Sequence, residues 1–416
     1  MCIDASILED CYMLQIKSKL RRGVLRYAPT INSLEHGGNI YKLAEELGIP
    51  ESKLVDFSAS INPLGISRKV KDAIIKNLDG LVNYPDPDMR ILRENLSEHF
   101  GIDPETIFCA NGSTELIYLI PRALKPKKVL VPVPTFSEYE RACKLSSELR
   151  VISYELKKEN NFEINPDEFI SAIRGAQSSV CINSKLKIQN SKQSCDMAFL
   201  CNPNNPTGHL IKKNDVLRVA EAARDIKCLL VVDEAFIDFS PEESVIGHVR
   251  DNPYLIVLRS MTKFYALTGL RIGYGVFPAN LISTINEFKE PWTVNNLAQK
   301  AAIAALYDSE YADKTQRLIK SERGFLEENF NKLGIKYFPS YANFYLLKIM
   351  NGKHIVQTLR EKGILVRDCS NFKGLDSTYI RVAVKSRKQN HILLKELKHI
   401  LSCFSVGAGF KPALTK

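Results

Sequence analysis

The alternation of short, almost wholly apolar runs with segments of helical period constrains this chain most. From about residue 128, the runs 129–131, 151–154, 197–200, 229–232, 255–258 and 272–276 are apolar at nearly every position. Strands that read apolar throughout, without in-and-out alternation, fit a sheet covered on both faces. Segments 136–147, 167–173 and 215–225 between them carry helical patterns. The predicted fold class is therefore α/β, a mostly parallel sheet wrapped by helices. After Trp292 the rhythm changes: long helical stretches run to Leu333, then strand-like runs at 344–349, 364–366 and 379–384, then a last helix at 388–401. This predicts a second, smaller α+β domain. The predicted division is an N-terminal extension (1–33), an arm that joins the smaller domain (34–65), a large domain (66–292), the small domain (293–405) and a disordered tail (406–416). Residues 175–196, rich in Ser, Asn, Gln and Lys, read as a surface insertion in the large domain.

Composition narrows the function classes. The chain has 416 residues, 45% hydrophobic and 25% charged, enough for two domains with a sizeable core. The formal net charge is +10, but lysines and arginines are spread along the chain, with no aromatic-basic module or zinc-finger spacing. No nucleic-acid partner is expected; a basic surface suits small anionic substrates. The ten cysteines form no C-x-x-C pair, and no signal peptide is evident, which points to reduced thiols in the cytoplasm. Cys109, Cys201 and Cys228 lie in apolar runs and are expected in the core. No apolar stretch approaches a membrane span, so no membrane partner is expected.

The chemistry concentrates around Lys263. It follows an apolar strand in Arg259-Ser260-Met261-Thr262-Lys263, with Arg271 eight residues on. An amine, two nearby hydroxyls and a guanidinium suit a cofactor bearing both an aldehyde and a phosphate. Pyridoxal 5'-phosphate is such a cofactor: Lys263 would condense with the aldehyde while Ser260, Thr262 and Arg271 hold the phosphate. Asp233 ends the run 229–232, at a strand's carboxyl edge, where open α/β sheets bind ligands; its carboxylate would keep the pyridine nitrogen protonated. Asn205, in Asn202-Pro203-Asn204-Asn205-Pro206-Thr207-Gly208, is the candidate donor to the cofactor's phenolic oxygen, although that run also reads as a plain turn. Gly112, Ser113 and Thr114 open a helix after an apolar run and form a ready phosphate cradle. Phe136, in Pro134-Thr135-Phe136, is placed to cover a ring face.

Together and in this order, these motifs resemble the fold-type I pyridoxal phosphate enzymes of aminotransferase class I/II, over about residues 36–401. Within that group the chain is similar to histidinol-phosphate aminotransferases and, more closely, to the threonine-phosphate decarboxylases of cobalamin biosynthesis. The closer likeness rests on His36-Gly37-Gly38-Asn39, Asp56-Phe57-Ser58-Ala59-Ser60-Ile61-Asn62-Pro63, Pro134 to Arg141, Asp233 to Phe239, Pro291-Trp292-Thr293-Val294-Asn295 and Val366 to Phe372. The resemblance implies a large domain with a mostly parallel seven-stranded sheet and a homodimer in which Tyr84 reaches the partner's cofactor. It also implies Arg381 as the clamp for the substrate carboxylate. His36, Gly37, Gly38, Asn39, Asn62, Asn205 and Arg367 join it around a phosphorylated amino acid. Three positions depart from the pattern: Phe236 stands where aminotransferases carry a tyrosine, Thr268 replaces a proline and is expected to loosen its loop, and Ser60 replaces an asparagine. The implied reaction is decarboxylation of L-threonine O-3-phosphate to (R)-1-amino-2-propanol O-2-phosphate, the linker of the cobalamin nucleotide loop. The alternatives are a histidinol-phosphate-type aminotransferase and a non-catalytic pyridoxal phosphate-binding protein.

Overall fold

A computed structural model gives the fold of residues 36–146, 149–175 and 194–407. The predicted extension 1–33 lies outside these residues, as do 176–193 of the predicted insertion and 408–416 of the predicted tail. The chain divides into two compact units, Met1–His36 and Gly37–Lys416, and His36 is the described residue of the first. The described strands and helices belong to the second unit.

Its strands, in chain order, are β1 (Val55–Asp56), β2 (Ile107–Ala110), β3 (Lys128–Val133), β4 (Arg150–Glu155), β5 (Met197–Cys201), β6 (Leu229–Asp233), β7 (Leu255–Ser260), β8 (Gly273–Val276), β9 (Lys336–Tyr337), β10 (Phe344–Lys348), β11 (Ile364–Leu365), β12 (Arg367–Asp368) and β13 (Tyr379–Ala383). Seven of them form one sheet in the order β2-β8-β7-β6-β5-β3-β4. The pairs from β7 to β4 are parallel, and β8 runs antiparallel to both neighbours. β5, β6 and β7 are buried along their whole length, as continuous apolarity predicts for strands covered on both faces.

The antiparallel β8 decides where the chemistry falls. A parallel neighbour would need a crossover helix, whereas the chain leaves β7 at Ser260 and returns through residues 261–272 on the same edge. That excursion carries Lys263, Thr268 and Arg271. The carboxyl ends of β2, β5 and β6 open on the same edge and deliver Asn111, Asn202 and Asp233. The helix Ser113–Leu124 brings its first turn there because Gly273 has no side chain; a Cβ on it would stand 2.4 Å from the Ser113 nitrogen.

A four-stranded sheet, β12-β13-β10-β9, follows in the C-terminal part, backed by the helices Ser309–Lys332 and Arg387–Gly407. β1 pairs in parallel with β11, Val55 opposite Ile364, so the segment leading into Ser58 lies among C-terminal strands. Two expected boundaries shift. The C-terminal end of the predicted insertion belongs to the fold: Cys195 is buried, its N–H donates to the Ile173 carbonyl (2.9 Å), and the Asp196 carboxylate accepts from the Lys127 and Lys128 N–H groups. The last helix runs through Gly407, into the start of the predicted tail.

Behind the site, the sheet encloses a charge cluster. Arg259, on β7 and 3% exposed, donates to Glu234 (3.1 Å) and Asp238, and its guanidinium lies over the Phe100 ring. Glu234 is fully buried and is otherwise held by the Ser244 hydroxyl and the Val245 N–H. Removing one member of a buried pair leaves the other without compensation. Arg259→Met is therefore expected to lower stability by about 3–5 kcal/mol. Arg259→Met/Glu234→Gln should recover part of that loss, as read from urea unfolding of the cofactor-free chain.

Candidate active site

The sheet edge gathers most of the predicted residues, and each is held by identifiable contacts. At the phosphate cradle, the Gly112 N–H is already donated to the Ala110 carbonyl (2.7 Å) and the Glu115 N–H to the Gly112 carbonyl (3.2 Å). The N–H groups of Ser113 and Thr114 have no partner among the described residues and open the helix Ser113–Leu124. Gly112 thus contributes space rather than a donor: its φ is +80°, and a Cβ there would lie 2.5 Å from Arg271 Nη2. Where the chain leaves β7, the Ser260 and Thr262 hydroxyls are bonded to each other at 2.8 Å. The set offers free N–H groups, hydroxyls and a guanidinium, which is what a phosphate dianion requires.

The loop bearing Lys263 is tied on several sides. The Thr268 hydroxyl donates to the Thr262 carbonyl (2.8 Å), and the Thr268 carbonyl accepts from Arg271 Nη1 (3.2 Å). The expectation that Thr268 loosens this loop is corrected: its hydroxyl supplies a tie that a proline lacks. The Lys263 carbonyl accepts from the Asn62 N–H at 3.1 Å. Asn62 was expected among the substrate contacts, but its amide is fully engaged. It donates to the Phe264 carbonyl and the Thr315 hydroxyl (both 2.7 Å) and accepts from the Leu64 N–H (3.0 Å). Its geometry is that of a tie for the lysine loop. Lys263 Nζ makes no hydrogen bond or ion pair among the described residues. Burial, then the charges of Arg381 and Arg271, push its amine down to about 8, while Asp233 opposes them.

Asp233 ends β6 at 3% exposure. Its Oδ2 accepts from the Tyr139 hydroxyl at 2.6 Å and its Oδ1 from the Ala235 N–H at 3.0 Å. Burial raises the carboxyl above its ordinary range, against the pull of those donors and Lys263. Sequence reasoning missed Tyr139, although it lies three residues after Phe136 in the Pro134–Arg141 motif; it is fully buried and stacked on Phe199. A helical tyrosine reads as core, and only the fold brings its hydroxyl to Asp233. Phe136 is half-buried and meets the Tyr139 ring edge-on at 5.7 Å.

The 202–208 turn divides its asparagines. Asn202 is bonded in both directions to Ile211, and Asn204 takes the Thr135 hydroxyl and reaches the Pro134 carbonyl. Asn205 Oδ1 accepts from Arg381 Nη1, which turns its amide NH2 away from the arginine. Arg381, on β13, donates through Nη2 to the Ser58 carbonyl (2.9 Å), and its Nε is buried without a partner. Arg367 lies directly opposite Arg381 across β12 and β13, and both are 7% exposed. Arg367 also donates to Asn371 at 2.8 Å. Ser58 ties in the N-terminal arm: its hydroxyl accepts from the Gly38 N–H at 2.7 Å, while Gly37 packs on its carbonyl. Asn39 is exposed and caps the helix Ile40–Leu47 through the Lys42 N–H (3.2 Å). Tyr84 is 84% exposed with its ring 5.3 Å from Trp292, outside this cluster. Phe236 is buried edge-on to Phe344 at 5.0 Å.

Residues 52–397 match the profile of the aminotransferase class I and II family. The threonine-phosphate decarboxylase of Salmonella typhimurium is 37% identical over 371 residues, covering 88% of this chain and 96% of that protein. The histidinol-phosphate aminotransferase of Caldanaerobacter subterraneus subsp. tengcongensis is 33% identical, covering 80% and 90%. Among solved structures, the L-threonine-O-3-phosphate decarboxylase of Porphyromonas gingivalis superposes with a TM-score of 0.70 at 27% identity, covering 84% of this chain and all of that one.

The depressed Lys263 has a consequence for stability. An ammonium of ordinary pKa 10.5 that falls to about 8 on folding opposes folding at neutral pH by on the order of 3 kcal/mol. The unfolded chain binds the extra proton between those two values, so stability rises with pH across that window. Lys263→Met should accordingly stabilise the cofactor-free chain at pH 7 by a similar amount. The gap to the parent should close as pH rises from 8 towards 10.5, as read from urea midpoints at each pH.

Proposed function

The chain belongs to the aminotransferase class I and II family, and on that premise we propose that it decarboxylates L-threonine O-3-phosphate to (R)-1-amino-2-propanol O-2-phosphate with pyridoxal 5'-phosphate held at Lys263. The observation that carries the substrate class is the pair of buried arginines, Arg367 and Arg381, directly opposite each other on adjacent strands. Like charges so placed repel, and the Arg381 Nε is buried without a hydrogen-bond partner. A ligand with two anionic groups, a carboxylate and a phosphate, balances them. The choice of reaction rests on the decarboxylase relative, which is more similar and more fully covered than the aminotransferase, and on Phe236, whose ring brings no hydroxyl to the site.

When bound, the cofactor supplies an electron sink for the pair left on Cα as carbon dioxide departs. Asp233, positioned by Tyr139 and Ala235, would pair with the ring nitrogen and keep it protonated. The Ser113 and Thr114 N–H groups, the Ser260 and Thr262 hydroxyls and Arg271 would hold the cofactor phosphate, and Phe136 would pack on the ring. Asn205, its carbonyl oxygen occupied by Arg381, has its NH2 left to donate and would offer it to the phenolic oxygen. Arg381 takes the substrate carboxylate through its free Nε side, and Arg367 takes the phosphate, so the two ends are fixed at once. The Gly37–Gly38 backbone and Asn39 lie on the arm that Ser58 ties beside Arg381, and they would serve the phosphate end. Lys263, whose amine burial pushes down to about 8, is the acid that would return a proton to Cα from its ammonium form. The reading carries with it a homodimer, in which Tyr84 reaches the partner's cofactor, and a cytoplasmic setting; the cysteines among the described residues are free thiols.

Purified chain supplied with pyridoxal phosphate and L-threonine O-3-phosphate should release carbon dioxide and aminopropanol phosphate in equal amounts, without an oxo-acid acceptor. Glutamate formed from histidinol phosphate and 2-oxoglutarate, with no carbon dioxide, would identify a transaminase instead. Arg381→Met should lower kcat/KM by about a hundredfold or more, the loss of a two-point charged contact.

A further inference from the structure

The cradle turn has no side-chain cap of its own, since Gly112 occupies the cap position of the helix Ser113–Leu124. Glu115 supplies the missing restraint: its Oε2 accepts from the Asn111 N–H at 2.6 Å, spanning the turn from its far end. A carboxylate in the first turn also suits the helix dipole. The same negative charge, one residue beyond Thr114, opposes a phosphate dianion held by Ser113 and Thr114. Lys289 answers that charge from 174 residues away. Its Nζ lies 3.2 Å from Glu115 Oε1 and 2.9 Å from the Thr293 hydroxyl. The two side chains are 10% and 16% exposed, so solvent screens them little. Thr114, Glu115, Arg271 and Thr293 line one cavity of about 500 Å³, so the carboxylate shares a cavity with Thr114 and Arg271, two of the residues assigned to the phosphate.

Resting on the cofactor reading above, we infer that Glu115 and Lys289 form a charge-cancelling brace behind the phosphate cradle. Glu115 holds the turn in shape, and Lys289 removes the carboxylate's repulsion of the cofactor phosphate. Both are positioning residues, since neither touches the reacting atoms.

The test compares K289M, E115Q and K289M/E115Q with the parent, all cofactor-free, by measuring dissociation constants for pyridoxal phosphate and for pyridoxal, which lacks the phosphate. K289M should weaken pyridoxal phosphate about tenfold or more and leave pyridoxal unchanged. E115Q keeps an oxygen for the Asn111 N–H and loses the charge, so it should bind pyridoxal phosphate no worse than the parent. The double variant should return to within about threefold of the parent, the two changes being coupled. Equal weakening of both ligands by K289M, or a double variant as weak as K289M, would mean that the loop matters only for packing and would overturn the brace. A parent chain that binds neither ligand overturns the cofactor reading, and this inference with it.

Discussion

An excess of positive charge around Lys263, part of it buried, is the condition on which the rest of the site depends. Arg381 and Arg367 sit opposite each other in a sheet, the more exposed Arg271 flanks the cradle, and among the described residues Asp233 is the carboxylate that counters Lys263. Such an arrangement is stable only because the fold has already committed part of each group. Arg381 is held by the Ser58 carbonyl and Asn205, Arg367 by Asn371, and Asp233 by Tyr139 and Ala235. What remains uncommitted is an Nε on Arg381, an amine on Lys263 and two N–H groups at a helix start. All are donors, and together they ask for an anionic ligand.

These groups come from distant parts of the chain because one sheet edge collects them. The parallel strands bring Asp233 and the 202–208 turn to the same end, and the antiparallel β8 turns the excursion after β7 back onto it. The arginines arrive from a second sheet, and the arm leading to Ser58 is pinned beside them by β1 and by the Gly38 N–H. Ser58 therefore links the N-terminal arm to the arginine that would grip the substrate. Movement of the arm would be felt at Arg381 through a single carbonyl.

The predicted strands and helices follow the apolar runs closely, since burial on both faces leaves little room for a polar residue in β5, β6 or β7. Lys263, Asp233, Asn205 and the Gly112–Thr114 turn were legible because each sits directly after an apolar strand, where chain direction alone predicts the ligand edge. Other residues carried no such mark. Tyr139 looks like any aromatic on a helix face until its hydroxyl is found on Asp233. Asn62 looked like a substrate contact and is a structural tie, and Thr268 looked like a lost proline and is an added hydrogen bond. In each case the deciding partner lies on another element, beyond the reach of local pattern.

The sequence by itself determined the α/β class, the order of the strands along the chain and the residue types available for cofactor chemistry, because these follow from apolar periodicity and from short-range spacing. The tertiary structure alone decided which strands are neighbours, that Arg367 faces Arg381, that Asn205 turns its NH2 away from that arginine, and that Lys289 meets Glu115. Those are contacts between residues from 14 to 176 positions apart, and no one-dimensional pattern encodes them. Their charges and hydrogen bonds gain their strength only when the fold has excluded water around them.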